Sequence, residues 1–179
     1  MIIRAITPLL LRHGRDITTR QIADAAGIAE GTIYRAFGDK ESLIEAAIAD
    51  YLDPGPMRAA LRAIDPALPL ETKLFAIIQA LRERFRAVFR IMAVLGAERP
   101  SMPSQRKAYF EIVRECLAPD ATSMSWTPEQ VGQVARLIAF ASSFPQLNDG
   151  MEFSTEELCR IVLYGVAGAA PGRADTESS

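Results

Sequence analysis

The chain has 179 residues, 49% hydrophobic and 7% aromatic, with a net charge of −2. That length allows one domain or a small head with a larger body, and that hydrophobic content excludes global disorder. No apolar run reaches the roughly 18–20 residues that cross a bilayer, and Met1-Ile2-Ile3-Arg4 does not open a signal peptide, so the expectation is a cytoplasmic protein with no membrane partner. Charge is uneven. Residues 1–53 carry six Lys/Arg against eight Asp/Glu, residues 54–118 eleven against six, and residues 119–179 three against eight. Cys116 and Cys159 have neither metal-ligand spacing nor a disulfide framework and read as reduced, buried thiols.

Helical periodicity runs through almost the whole chain, and no segment alternates as a strand does. Residues 2–13 put Ile2, Ile3, Ile6, Leu9 and Leu10 on one face and stop at Gly14, with Pro8 expected to fray or kink the first turn. Thr18 and Gln21 form a capping box for a helix to Ala26, which Gly27 breaks. A short helix over 29–36 follows Ile28. Asp39 caps the next, which turns Leu43, Ile44, Ala47, Ile48 and Tyr51 inward. Asp53-Pro54-Gly55-Pro56 marks a boundary. After a helix at 57–64 comes the longest periodic segment, 70–97, with Leu74, Ile77, Ile78, Leu81, Phe85, Val88, Phe89, Met92 and Leu95 on one face. Arg99 to Pro103 is a connector, and a helix of about 104–118 ends at Pro119. Thr127-Pro128-Glu129-Gln130 and Ser154-Thr155-Glu156-Glu157 open helices to about 144 and 168. The tail from Pro171 to Ser179 is expected to be disordered. The fold class is therefore all-α, with about nine helices. Its division is a head at 1–52, a body at 53–170 and a tail at 171–179.

The segment Ile17 to Phe37 carries the functional signal. Small residues at Ala23 and Ala26 let two helices cross closely. Gly27 supplies a turn that needs unusual dihedrals. Ile22, Ile28, Ile33 and Phe37 anchor the second helix, leaving Ala29, Glu30, Thr32, Tyr34 and Arg35 outward and free to meet DNA. Arg15, Arg20, Arg35 and Lys40 are expected on or near that side, and Asp24, Glu45 and Asp50 away from it.

The run TTRQIADAAGIAEGTIYRAFGDKESLIEAAI, residues 18–48, resembles the DNA-binding head of the TetR family of bacterial helix-turn-helix regulators. The resemblance spans about residues 2–52. It implies a helical homodimer that binds a palindromic double-stranded DNA operator through a three-helix head. Its C-terminal body would take a small-molecule effector that changes the spacing of the two heads. Carried over by position, Thr19 and Arg20, beside the cap Thr18, match residues that touch phosphate and groove. Glu30, Gly31 and Thr32 match the base-facing start of the recognition helix. Tyr34 and Lys40 match groups that meet phosphate. Two departures stand out. Position 30 often carries a basic or amide side chain in such proteins, and an acid there accepts from cytosine but repels phosphate. The chain also starts almost inside its first helix, where many relatives have a basic arm, so the arm is either absent or outside the given sequence.

Phe85, Phe89, Met92, Tyr109, Phe110 and Trp126 are candidates for lining a ligand pocket, although such stripes are more often plain core. Arg82, Arg86 and Arg90 read as a solvated basic stripe. The dimer face is assigned to the last two helices, through Val131, Val134, Ala135, Ile138, Ala141, Leu158, Ile161, Val162 and Gly165, as a four-helix bundle about a twofold axis. No cofactor, metal site or catalytic constellation is read. Three functions remain open. They are a ligand-gated DNA-binding regulator, most commonly a repressor; a DNA-binding regulator gated by a partner protein without an effector; and a helical carrier or enzyme, for which convergent catalytic groups are missing.

Overall fold

A computed structural model describes residues 2–96, 106–148 and 150–167. The tail at 171–179, the whole connector from Arg99 to Pro103 and Asp149 lie outside the described residues. The described residues are helical, with no strand among them. The helices are α1 (Ile2–His13), α2 (Thr19–Ala26), α3 (Glu30–Phe37), α4 (Lys40–Tyr51), α5 (Gly55–Arg62), α6 (Leu70–Leu95), α7 (Arg106–Leu117), α8 (Pro128–Ser143), α9 (Pro145–Asn148) and α10 (Thr155–Ala167). The single turn α9 has no counterpart in the sequence reading. α1 is helical from Ile2 through Pro8, so the expected fraying of its first turn is not found.

The chain divides into two compact units. One holds residues 1–54 with 86–102, and the other residues 55–85 with 103–179. The long helix α6 therefore supplies residues to both.

In the first unit, α1 to α4 enclose Ile6, Leu10, Ile17, Ile22, Ile33, Leu43, Ile44 and Ala47, all fully buried, and Ile91 from α6 joins them. Burying each large aliphatic side chain contributes about 1.5–3 kcal/mol. Ile91 was not on the face read from the sequence, whereas Phe89 and Met92 were. Both of those are only half-buried here, because the inward stripe at this end of α6 runs through Val88, Ile91 and Leu95. Gly14 begins a 3-10 turn after α1 at φ 59. A Cβ there would stand 3.1 Å from the Val94 carbonyl oxygen, so a side chain would be strained by its dihedral and crowded by its neighbour.

In the second unit, Leu61, Leu74, Ile77, Ile78, Leu81, Val113, Leu117, Val131, Ala135, Ala139, Leu158 and Val162 form one core. Thr127 caps α8, with the Thr127 N–H donating to Gln130 Oε1 at 2.9 Å and the Gln130 N–H donating back to Thr127 Oγ1. Ser154 and Glu157 repeat the device at α10. α7 and α8 cross closely at Gly132, whose carbonyl accepts from the buried Tyr109 hydroxyl at 2.9 Å. Burial pushes the pKa of that hydroxyl upward. Cys116 and Cys159 are buried free thiols. Burial raises both, Cys159 to about 11.

Three sequence expectations are corrected in this unit. Val131, Ala135, Leu158 and Val162 cannot form a dimer face, because each is at most 3% exposed within its own subunit. The inward stripe of α8 runs through Val131, Gly132, Ala135 and Ala139, which turns Leu137 and Phe140 outward. Val134 and Ile138 are half-buried against the core, while Ala141, Ile161 and Gly165 are exposed. The aromatic set is divided between the two units. Phe85, Tyr109 and Phe110 pack against the core, with Phe85 edge-on to Phe140 at 5.3 Å. Trp126 is exposed, and Phe89 and Met92 belong to the first unit. Finally, Arg82 is not solvated like Arg86 and Arg90. It is buried, and its guanidinium donates to Thr155 Oγ1 at 2.9 Å and to the Phe153 carbonyl at 2.7 Å, fixing the start of α10 against α6.

Lys73 is fully buried, a placement that its sequence neighbourhood gave no sign of. Its ammonium pairs with Asp120 and donates to the Pro66 carbonyl at 2.8 Å and the Cys116 carbonyl at 3.4 Å. One cation thus ties the loop before α6 to the end of α7. Removing one partner of a buried pair strands the other. Lys73→Met is expected to lower stability by about 3 kcal/mol. The check is a urea unfolding curve, with an unchanged midpoint as the contrary result.

Candidate nucleic-acid interface

α2, a tight turn and α3 build the surface. α2 starts where it does because the Gln21 N–H donates to Thr18 Oγ1 at 3.2 Å while the Thr18 N–H donates to Gln21 Oε1 at 2.8 Å. Both bonds satisfy amides that a helix start leaves open. α2 ends at Gly27, whose φ of 65 is left-handed and whose N–H reaches the Ala23 and Asp24 carbonyls. Only glycine takes that conformation without strain. The Ile28 N–H also bonds the Ala23 carbonyl, at 3.0 Å, so the turn is closed from both sides.

α3 then docks by its apolar side. Ile33 is fully buried, and Ile28 and Phe37 are half-buried against the same core. The opposite side is open. Ala29, Glu30, Gly31, Arg35 and Tyr34 are exposed, Tyr34 at 50%, and Thr32 is half-buried. Ala29 precedes the helix in an extended conformation and offers no side-chain cap. The start of α3 therefore keeps amide donors and a positive dipole end directed outward. On α2, Thr18 and Arg20 are exposed and Thr19 is half-buried.

Two contacts were not legible in the sequence. The Thr19 hydroxyl donates to Glu30 Oε2 at 2.8 Å, joining the first residue of α2 to the first of α3. Arg15 and Glu45, expected on different sides of the head, are paired. The Arg15 guanidinium holds Glu45 and also Glu41, the latter at 3.1 Å. Hydrogen bonding to Glu45, opposed in part by desolvation, raises the Arg15 pKa above the ordinary arginine value. Such surface pairs contribute little to stability, about 0–1 kcal/mol. Their effect is to occupy a cation. Lys40 is half-buried, donates to the Arg15 carbonyl at 3.2 Å and lies 3.6 Å from Glu41. Arg20 and Arg35 are exposed and make no ion pair among the described residues.

Residues 2–47 match the family described as bacterial regulatory proteins, tetR family. Over those residues the chain is similar to the head of that family. Solved structures agree on the fold across almost the whole chain. The TetR transcriptional regulator SCO0520 from Streptomyces coelicolor is similar at 22% identity and a TM-score of 0.57, over 94% of this chain and 98% of that one. FadR from Bacillus subtilis, a transcriptional regulator solved in complex with stearoyl-CoA, matches at 18% identity and 0.55, over 94% and 97%. NalD, the secondary repressor of the MexAB-OprM multidrug efflux pump in Pseudomonas aeruginosa, matches at 19% and 0.55, over 93% and 96%. A comparison with curated proteins found no sequence match. The chain thus has the fold of a tetR-family transcriptional regulator, and no helix among its described residues is long and apolar enough to cross a membrane.

The fourth helix of this head is held by Asp39, whose Oδ1 accepts from the Ser42 N–H at 2.7 Å. That bond lowers the Asp39 pKa below the ordinary aspartate value. A depressed carboxyl stabilises the fold above its unfolded pKa, and the contribution is lost as pH falls through the folded pKa. Hydrogen exchange at the Ser42 amide is therefore expected to accelerate on the acid side of the ordinary aspartate range. Asp39→Asn caps without titrating and should lack that step. A step of equal size in both proteins would contradict this role for the carboxylate.

Proposed function

We propose that the protein is a homodimeric, sequence-specific DNA-binding transcription regulator, acting as a repressor that leaves a palindromic operator when a small molecule binds its second unit. The observation that carries the DNA-binding part is α3, which is anchored by Ile33 and exposes Glu30, Gly31, Tyr34 and Arg35 beside an uncapped helix start. In this reading Ala29, Glu30, Gly31 and Thr32 approach the base edges. Thr18, Thr19, Arg20, Tyr34, Arg35 and Lys40 hold the phosphates on either side. Tyr34 is half-exposed, and its hydroxyl suits a phosphate oxygen.

The dimer part rests on Leu137 and Phe140 of α8 and Ile161 and Tyr164 of α10, which are between 41% and 54% exposed. α8 and α10 pack on one another, and four large apolar side chains left open on such a pair favour a second copy as their cover. Ala141 and Gly165 allow close approach, and Val134 and Ile138 lie at the margin. The effector part is supported by the stearoyl-CoA complex of the FadR neighbour. One observation favours gating without an effector. Phe85, Tyr109 and Phe110 are engaged in core packing, and the Tyr109 hydroxyl is taken by Gly132. A small molecule co-purifying in native mass spectra would decide for the effector.

Two outcomes test this reading. The Tyr34→Phe, Lys40→Ala double variant should lose at least about tenfold in operator affinity, and its slope of log K against log salt should shrink by about 2 per dimer, one for each Lys40. Unchanged binding by a folded variant would remove these residues from the interface. Leu137→Glu with Ile161→Glu should halve the mass measured by light scattering, and a mass unaltered from the parent protein would rule out this dimer face.

A further inference from the structure

We propose that Glu30 reads a cytosine in each operator half-site, and that Thr19 is the positioning residue that holds its carboxylate for that contact. The inference rests on the DNA-binding reading above and specifies what its surface selects.

The start of α3 leaves few alternatives. Ala29 and Gly31 are exposed but carry no polar side-chain atom, and Thr32 is half-buried. Glu30 is thus the exposed side chain at this end of the helix that can form a hydrogen bond. An ionised carboxylate only accepts. In the major groove the donors are the exocyclic amines of cytosine and adenine, N4 and N6. Adenine places the acceptor N7 beside N6, so a carboxylate approaching it meets a like partial charge. Cytosine presents N4 without an acceptor on its own edge in that groove. An acid also repels the flanking phosphates, and a cytosine contact at this position offsets that repulsion.

The Thr19 hydroxyl explains how a flexible side chain could do this. It donates to Oε2 at 2.8 Å, and Oε1 makes no hydrogen bond among the described residues. Thr19 is half-buried, and its β-branched side chain has few rotamers. The donor is therefore fixed, and it fixes the carboxylate before DNA arrives. Less side-chain freedom is then lost on docking. The alternative role for an acid at a first helical position is to complement the helix dipole. That role needs neither the Thr19 bond nor any particular base, so base identity separates the two.

The experiment is selection of duplexes from a random library by the full-length protein and by Glu30→Gln, Glu30→Ala and Thr19→Val, each first shown to keep its helical circular dichroism. The parent protein should enrich cytosine at one fixed position per half-site, about tenfold over the other bases. Glu30→Gln should move that preference to adenine, whose N6 and N7 a carboxamide can bond together. Thr19→Val should keep cytosine but cut the discrimination to about threefold, with affinity for all sequences lowered uniformly by any lost phosphate contact. A motif identical in the parent and all Glu30 variants would overturn the assignment of Glu30 while leaving the DNA-binding reading intact. Undiminished cytosine discrimination in Thr19→Val would overturn the positioning role. Failure of the parent protein to enrich any duplex would overturn the DNA-binding reading and this inference with it.

Discussion

The surface of the first unit depends on the burial of one side of a helix too short to stand alone. α3 has eight residues, and isolated helices of that length do not persist in water. It exists because Ile33 enters a core shared with Ile22, Leu43, Ile44 and Ile48, with Ile28 and Phe37 packed against that core. The same docking decides which residues remain outside. With Ile33 inward, the 3.6-residue repeat turns Gly31, Tyr34 and Arg35 outward, and Glu30 is exposed as the first residue of the helix. The left-handed turn at Gly27 sets where the helix begins, and the extended Ala29 leaves its start uncapped. Presentation and stability therefore come from one packing event.

Legibility in the sequence followed the range of the interaction. Caps are local, and Thr18 with Gln21, Asp39 with Ser42, Thr127 with Gln130 and Ser154 with Glu157 lie within three residues of each other. The helix starts could be read from them to within a residue. Core stripes were legible where periodicity was unambiguous, as at Leu74, Ile77, Ile78 and Leu81. They were not legible where a helix is apolar on more than one side. α8 carries Val131, Ala135 and Ala139 inward and Leu137 and Phe140 outward, and no spacing rule says which stripe meets its own subunit. Polar contacts between distant residues left no trace at all. Lys73 with Asp120, Arg82 with Thr155 and Thr19 with Glu30 are separated by 47, 73 and 11 residues. Each side chain alone resembles an ordinary surface group, and only the fold supplies its partner.

The charge of residues 1–53 illustrates why sums mislead. Residues 1–53 hold more acids than bases, which argues against an anionic partner if charge is treated as uniform. The structure distributes it otherwise. Glu41 and Glu45 converge on Arg15, and Glu41 also lies near Lys40. Those acids are engaged with cations of their own unit, while Arg20 and Arg35 remain exposed without an ion pair among the described residues. Potential near a surface follows the nearest uncompensated charges, because others are screened within about 8–10 Å at ordinary salt.

Glu30 is the exception, since it adds negative charge on the side that α3 exposes. An acid there opposes any polyanion, and in the proposed DNA-binding reading its presence trades strength of binding against choice of sequence. Non-specific affinity comes from phosphate contacts and is shared by every site, whereas discrimination comes from base edges. Under that proposal a carboxylate weakens the first term everywhere and strengthens the second at one base. The Thr19 bond makes that exchange more favourable, because it restrains the carboxylate through a residue of α2 and so reduces what ordering it on DNA would cost. The pairing of an uncapped helix start with a tethered acid thus fits a reader in which selectivity is gained at the expense of general attraction.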